Sequence, residues 1–257
     1  MRSWTYICCS VALFILLLLS GCNKSKSNLA DTSTPFDHGF VCSLHAGSVP
    51  IGGGVVLCSS KAPDKGVLVT ARHVITFNRE YHSSITVCAT KHNKILLGDT
   101  QKRWCTVNNK SIDAAWIQLK VHEIRKIKEY GIKLPIAIPK NLLLCKSDNV
   151  KIVNAYNSYN AKFIGKLAIQ CPLPENHYLK YTSLIVGMAN ITVPKNNSGS
   201  PVFTQRDGKN FFIGTVAISR KNPDATGFID IRQYLNSIID TFNSKKSVRL
   251  VDCLKLW

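Results

Sequence analysis

Three short stretches carry side chains whose types and order could perform nucleophilic chemistry. The first is Val67-Leu68-Val69-Thr70-Ala71-Arg72-His73-Val74, an apolar run that ends in small residues with a histidine just beyond it. The second is Ile112-Asp113-Ala114-Ala115-Trp116-Ile117-Gln118-Leu119, an acid at the mouth of an apolar run. The third is Asn196-Asn197-Ser198-Gly199-Ser200-Pro201-Val202-Phe203, a serine in a tight turn that opens into a strand. A serine hydroxyl is a poor nucleophile until a neighbouring base takes its proton. Histidine is the side chain suited to that task near neutral pH, and a carboxylate can fix its tautomer. Each stretch also has a plain reading: a surface histidine, an aspartate that forms a turn, a Ser-Gly-Ser-Pro turn and nothing more. Histidine, then aspartate 40 residues on, then serine 85 further makes a much more specific set.

These residues need elements to hold them. From residue 40 to 119 the text reads as short β segments at 52–57, 66–69, 85–89, 95–97 and 114–119, with a polar loop around Pro63 and Asp64. A charged stretch, 121–130, reads as a helical turn crossing between halves. A second series follows at 150–155, 162–169, 178–183, 201–204, 211–219 and 227–229. Short strands spaced by roughly 8–12 residues point to a sandwich or barrel. After Asp230, which can cap a helix, Ile231, Tyr234, Leu235, Ile238, Ile239 and Phe242 recur with helical period and predict one buried face.

Taken together, the motifs resemble the chymotrypsin-like serine proteases, whose triad runs His, Asp, Ser. Thr70-Ala71-Arg72-His73 is similar to the Thr-Ala-x-His of that family, Asp113-Ala114-Ala115 to its aspartate motif, and Ser198-Gly199-Ser200-Pro201-Val202 to its nucleophile motif. Asn-Ser-Gly-Ser-Pro-Val-Phe looks closer still to bacterial glutamyl endopeptidases. The resemblance covers residues 40 to 243 and implies an all-β fold of two six-stranded antiparallel barrels with a C-terminal α-helix. It implies His73 as base, Asp113 as its orienting partner, Ser198 as nucleophile, and the backbone amides of Asn196 and Ser198 as oxyanion hole. It also implies a primary specificity pocket with Thr192 at its base and Val216, Ala217 and Ile218 on its wall. Thr192 is neutral, so no acid is expected there to pair with lysine or arginine. Val216 falls where glutamyl endopeptidases place a histidine, so glutamate selectivity is not expected either. Two departures stand out. Asn196 replaces a glycine at the oxyanion turn, and asparagine tolerates left-handed backbone better than most residues. Asn197 replaces the aspartate that pairs, in digestive relatives, with a freed N-terminus.

The chain ends add a second theme. Met1-Arg2-Ser3 precedes an uncharged stretch to Leu19, too short to span a bilayer but suited to a signal peptide. Leu19-Ser20-Gly21-Cys22 resembles a bacterial lipobox, with the Cys22 thiol as lipid acceptor. The expected organisation is a lipoprotein signal at 1–21, a flexible tether at 22–39, an N-terminal barrel at 40–130, a C-terminal barrel with its helix at 131–243, and a basic tail at 244–257. Envelope localisation follows, lipid-anchored and facing the periplasm or exterior, with a protein or peptide as substrate. The competing class is a non-catalytic binding lipoprotein on the same fold.

Composition bounds the rest. The 257 residues are 45% hydrophobic and 19% charged, which excludes disorder as the main state. The net charge of +18 points to possible anionic surface contacts. Basic runs interleaved with aromatics are missing, so no specific nucleic acid is expected. Of ten cysteines, Cys8, Cys9 and Cys22 leave or are lipidated, and an odd seven remain. Export permits disulfides, but spacing does not give their pairing. With no Cys-x-x-Cys pair among those seven and scattered histidines, neither metal nor cofactor is expected.

Overall fold

The computed structural model describes residues 34–77, 80–90, 92–107, 112–139, 141–172, 181–221 and 224–244. The expectations for the signal stretch, Cys22, most of the tether and the basic tail lie outside the described residues.

Strands β1 (His38–Ala46), β2 (Val49–Ser59), β3 (Ala62–Thr70), β4 (Thr76–Phe77), β5 (Glu80–Tyr81), β6 (Ile85–Cys88), β7 (Lys94–Leu97), β8 (Trp104–Thr106) and β9 (Ala115–Gln118) come first. Helix α1 (Val121–Tyr130) and β10 (Lys133–Pro135) lead to β11 (Asn149–Val153), β12 (Ser158–Pro172), β13 (Tyr181–Ala189), β14 (Pro201–Arg206), β15 (Lys209–Lys221) and β16 (Asp224–Asp230). Helix α2 (Leu235–Asn243) closes the fold. The second half is a closed antiparallel barrel in the order β11-β12-β13-β16-β15-β14. The first half is an eight-stranded half-barrel sheet in the order β7-β6-β1-β2-β3-β9-β8, with β10 added on β1 and the small β4–β5 ribbon apart. The fold is thus mostly β, a closed six-stranded barrel and a half-barrel sheet with a C-terminal helix.

Sequence patterning explains most of this. In β3, Val67, Leu68 and Val69 are all fully buried, because successive side chains point to opposite faces and both faces are covered. Leu68 joins the core inside the first sheet; Val67 and Val69 join a core that continues to Phe203, Phe212 and Ile229 of the second barrel. Pro63 and Asp64 lie within β3 and not in a loop: the hairpin turns earlier, at Ser60-Lys61, and both residues are at the exposed start of the strand, where a missing N–H is tolerated.

The open ends of the first sheet are β7 and β8, and an ion pair covers the gap. Glu123 of α1, 1% exposed, takes a bidentate pair of bonds from Arg103, Nη1 to Oε1 at 2.9 Å and Nη2 to Oε2 at 2.7 Å. Arg103 also donates to the Gly98 and Gln118 carbonyls at 3.1 and 2.9 Å, tying the end of β7 to the end of β9. Glu123 in turn accepts the Lys120 amide at 2.7 Å and so caps its own helix. Buried charge is tolerated when every partner is supplied in this way.

After β16 a short 3-10 turn, Ile231–Gln233, precedes α2, and Asp230 accepts the Arg232 amide at 3.0 Å. Ile231, Tyr234, Leu235, Ile238 and Phe242 are buried as their period predicts. Cys42, Cys58 and Cys88 are buried free thiols, and burial pushes Cys58 up to about 11.

Candidate active site

The β3–β9 register pairs Thr70 with Ala115. His73 follows β3 in a 3-10 turn (Arg72–Val74), and Asp113 sits two residues before β9, so the antiparallel ladder delivers both to one end of the sheet. There the two meet twice: the His73 amide donates to Asp113 Oδ1 at 3.0 Å, and His73 Nδ1 lies 2.6 Å from Oδ2. An ionised carboxylate only accepts, so Nδ1 must carry the proton, and neutral His73 keeps Nε2 as a free base. The His73 side chain is 47% exposed and that of Asp113 13%. Burial acts to lower the His73 pKa, but the Asp113 charge and hydrogen bond outweigh it and hold the imidazole above 6.5. Burial acts to raise Asp113, and the opposing His73 charge, its hydrogen bonds and Arg72 together hold the carboxyl below 3.8.

Ser198 lies in the loop between β13 and β14, on the second barrel. Three glycines seat that loop against the His73 end of β3. The Gly53 amide donates to the Ser198 carbonyl at 2.8 Å, and the Gly53 carbonyl accepts Thr70 Oγ1 at 2.7 Å, so one residue of β2 touches both halves of the site. Gly199, at φ +80°, packs where any Cβ would strike Thr70 Oγ1 and the Gly53 carbonyl. At Gly52 a Cβ would approach the Ser198 carbonyl to 2.6 Å and Val74 Cγ1 to 2.7 Å. Ser198 is thereby placed beside the turn that carries His73. The neighbouring Ser200 is fully buried, whereas Ser198 is half-buried, which distinguishes the two hydroxyls as nucleophile candidates.

Asn196 adopts φ +68°, the left-handed conformation that its replacement of glycine requires. Among the described residues the amides of Asn196 and Ser198 donate to no acceptor within the chain, while the adjacent Gly199 and Ser200 amides do, to the Val216 and Asn197 carbonyls at 2.7 and 3.0 Å. Two undonated amides on one tight turn are what an oxyanion hole needs.

The proposed pocket residues are stitched together. Ser219 Oγ donates to the Val193 carbonyl at 3.0 Å, and Thr226 Oγ1 donates to the Ile191 carbonyl at 2.6 Å. Thr192 Oγ1 lies within hydrogen-bond reach of the Arg220 carbonyl and 2.7 Å from Asp224 Oδ1. An acid therefore does stand beside Thr192, contrary to the sequence expectation; the β15–β16 hairpin returns Asp224 to a residue 32 positions earlier. Val216 is 1% and Ala217 8% exposed, while Ile218 is half-buried and packs where Gly227 has no Cβ. Among the described residues no three His, Cys, Asp or Glu side chains gather as a metal site, and no helix is long and apolar enough to cross a membrane.

No family model matches the chain, and no curated protein does. Solved structures do. Human heparin binding protein aligns with TM-score 0.51 at 10% identity over 84% of this chain and 94% of that one. The active form of the Rv3671c protease from M. tuberculosis aligns at 0.49 and 15%, over 86% of each chain. Catalytically active tobacco etch virus protease aligns at 0.41 and 13%, over 79% of this chain and 78% of that one. At 10% identity the likeness to heparin binding protein is one of fold, and the chymotrypsin-like two-barrel architecture is what it shows.

Proposed function

We propose that the chain is a serine endopeptidase working through an acyl-enzyme. The observation that carries this reading is the doubly bonded His73–Asp113 pair, beside which Gly53 fixes the Ser198 carbonyl at 2.8 Å. Ser198 Oγ attacks the peptide carbonyl carbon as its proton passes to His73 Nε2, and the carbonyl π electrons move onto oxygen. The Asn196 and Ser198 amides receive that oxyanion; such preorganised donors are worth about 3–4 kcal/mol each in the transition state. Collapse expels the amine, which takes the proton from His73, and water repeats the sequence to release the acid. Asp113 stays ionised throughout and steadies the imidazolium.

The test is labelling of the full chain with a fluorophosphonate probe. Labelling is expected in the wild type and lost in Ser198→Ala and His73→Ala, because these groups act as a unit. Undiminished labelling of Ser198→Ala overturns the assignment. We extend the proposal to a lipid anchor in the cell envelope, supported by Leu19-Ser20-Gly21-Cys22 directly after the uncharged stretch. Cys22→Ser is expected to accumulate as unprocessed precursor; a normally processed mutant that still partitions into detergent refutes the anchor.

A further inference from the structure

The oxyanion turn is held by a side chain from another part of the barrel. Asn197, 4% exposed, directs its Nδ2 at the Pro194 carbonyl, 2.9 Å away, and its Oδ1 lies 2.7 Å from Asn154 Nδ2. The orientations are forced. A carbonyl only accepts, so the Asn197 nitrogen must face Pro194; its oxygen then faces Asn154, which must present its own nitrogen. That leaves Asn154 Oδ1 to accept the Tyr156 and Asn157 amides at 2.8 and 2.6 Å, while the Asn154 amide donates to the Asn157 carbonyl at 2.9 Å. Asn154 thus uses one end of its amide to build the β11–β12 turn and the other to grip a residue 43 positions away.

Asn197 lies between Asn196 and Ser198, the two residues whose amides are left undonated. Turning either peptide would drag the Asn197 side chain off both of its partners and bury an unpaired amide. In the resembled family an aspartate at this place takes its partner from a freed N-terminus; here the partner is an asparagine of the same barrel.

We infer that Asn154 is the positioning residue of the oxyanion hole, latching Asn197 so that the turn is set in its working shape without a freed N-terminus as partner. The inference rests on the serine endopeptidase reading. Its test is Asn154→Asp in the full chain, assayed with a peptide substrate and the fluorophosphonate probe. The aspartate keeps an oxygen to accept the Tyr156 and Asn157 amides, so the turn survives, but it sets a carboxylate oxygen against Asn197 Oδ1. The expected result is a fall in kcat of about 10- to 100-fold with KM within about twofold, since donors that act only in the transition state are misplaced. Asn197→Ala removes the gripped group, so Asn154→Asp should cost at most about twofold more in that background. A wild-type kcat in Asn154→Asp, a loss confined to KM, or two substitutions whose effects multiply each overturns the latch. A wild type that neither labels nor hydrolyses overturns the endopeptidase reading itself, so the two failures are told apart.

Discussion

At the scale of single residues, the His73–Asp113 pair sets the pH behaviour. His73 titrates above 6.5 in the folded chain, so the stabilisation it draws from Asp113 is complete below 6.5 and is lost as pH rises through the folded value. Asp113 titrates below 3.8, so its share is present above 3.8 and is lost as pH falls through its folded value. The proposed catalysis needs the opposite state of His73: only neutral imidazole could take the Ser198 proton. The acid limb of kcat/KM should therefore show an apparent pKa above 6.5. Asp113→Asn removes the charge that raises His73 and leaves the burial that lowers it, so that limb should move to lower pH. The wrong tautomer should also cut the rate by about 10⁴, as in the general template. A pH–rate profile of Asp113→Asn with its acid limb unmoved contradicts this account.

At the scale of elements, much was legible because it is local. The charged stretch 121–130, read as a helical turn, forms a ten-residue helix over Val121–Tyr130. Of the six apolar residues after Asp230, Leu235, Ile238 and Phe242 lie on the buried face of α2, Ile239 is half-buried there, and Ile231 and Tyr234 are buried ahead of the helix. The strand-end positions of His73 and Asp113 followed from small residues at the end of an apolar run. What escaped the sequence is long-range. Nothing around Asn154 announces that its amide reaches Asn197, and a hairpin-tip aspartate gives no sign of returning to Thr192. Arg103 and Glu123 are unremarkable charges until β7 and β8 prove to be the two ends of a sheet that an ion pair must cover. β8, only three residues long over Trp104–Thr106, has too little sequence to show a period of two. Local periodicity reports which way a side chain faces; it does not report what stands opposite.

The whole molecule combines a stitched pocket with a strongly basic chain, and the two make different demands on a substrate. The barrels share a continuous core, and α2 ties the second to the first: Trp116 Nε1 donates to Thr241 Oγ1 at 2.9 Å, and the Phe36 and Phe242 rings meet edge-on at 4.9 Å. On that fixed frame, the segment Ile191–Val193 is bonded directly to Ser219 and Thr226, a bridge that holds the base of the proposed pocket to β15 and β16. Asp224 lies towards the hairpin tip from that bridge, exposed and paired in register with Lys221. Val216 is almost wholly buried and Asp224 is already engaged by Thr192, so a charged side chain beside Val216 would find no free partner, and burying an unpaired charge is costly. The net charge of +18, by contrast, would act over a Debye length of about 8–10 Å and would draw anions to the surface without touching pocket fit. Peptides with an uncharged residue before the cut and acidic residues flanking it should therefore be cleaved best. Raising salt should lower kcat/KM for acid-flanked peptides and leave kcat unchanged, because steering alters encounter and not chemistry. A peptide-library profile dominated by Arg, Lys or Glu immediately before the cut refutes the stitched pocket, and a salt-independent kcat/KM for acid-flanked peptides refutes the steering.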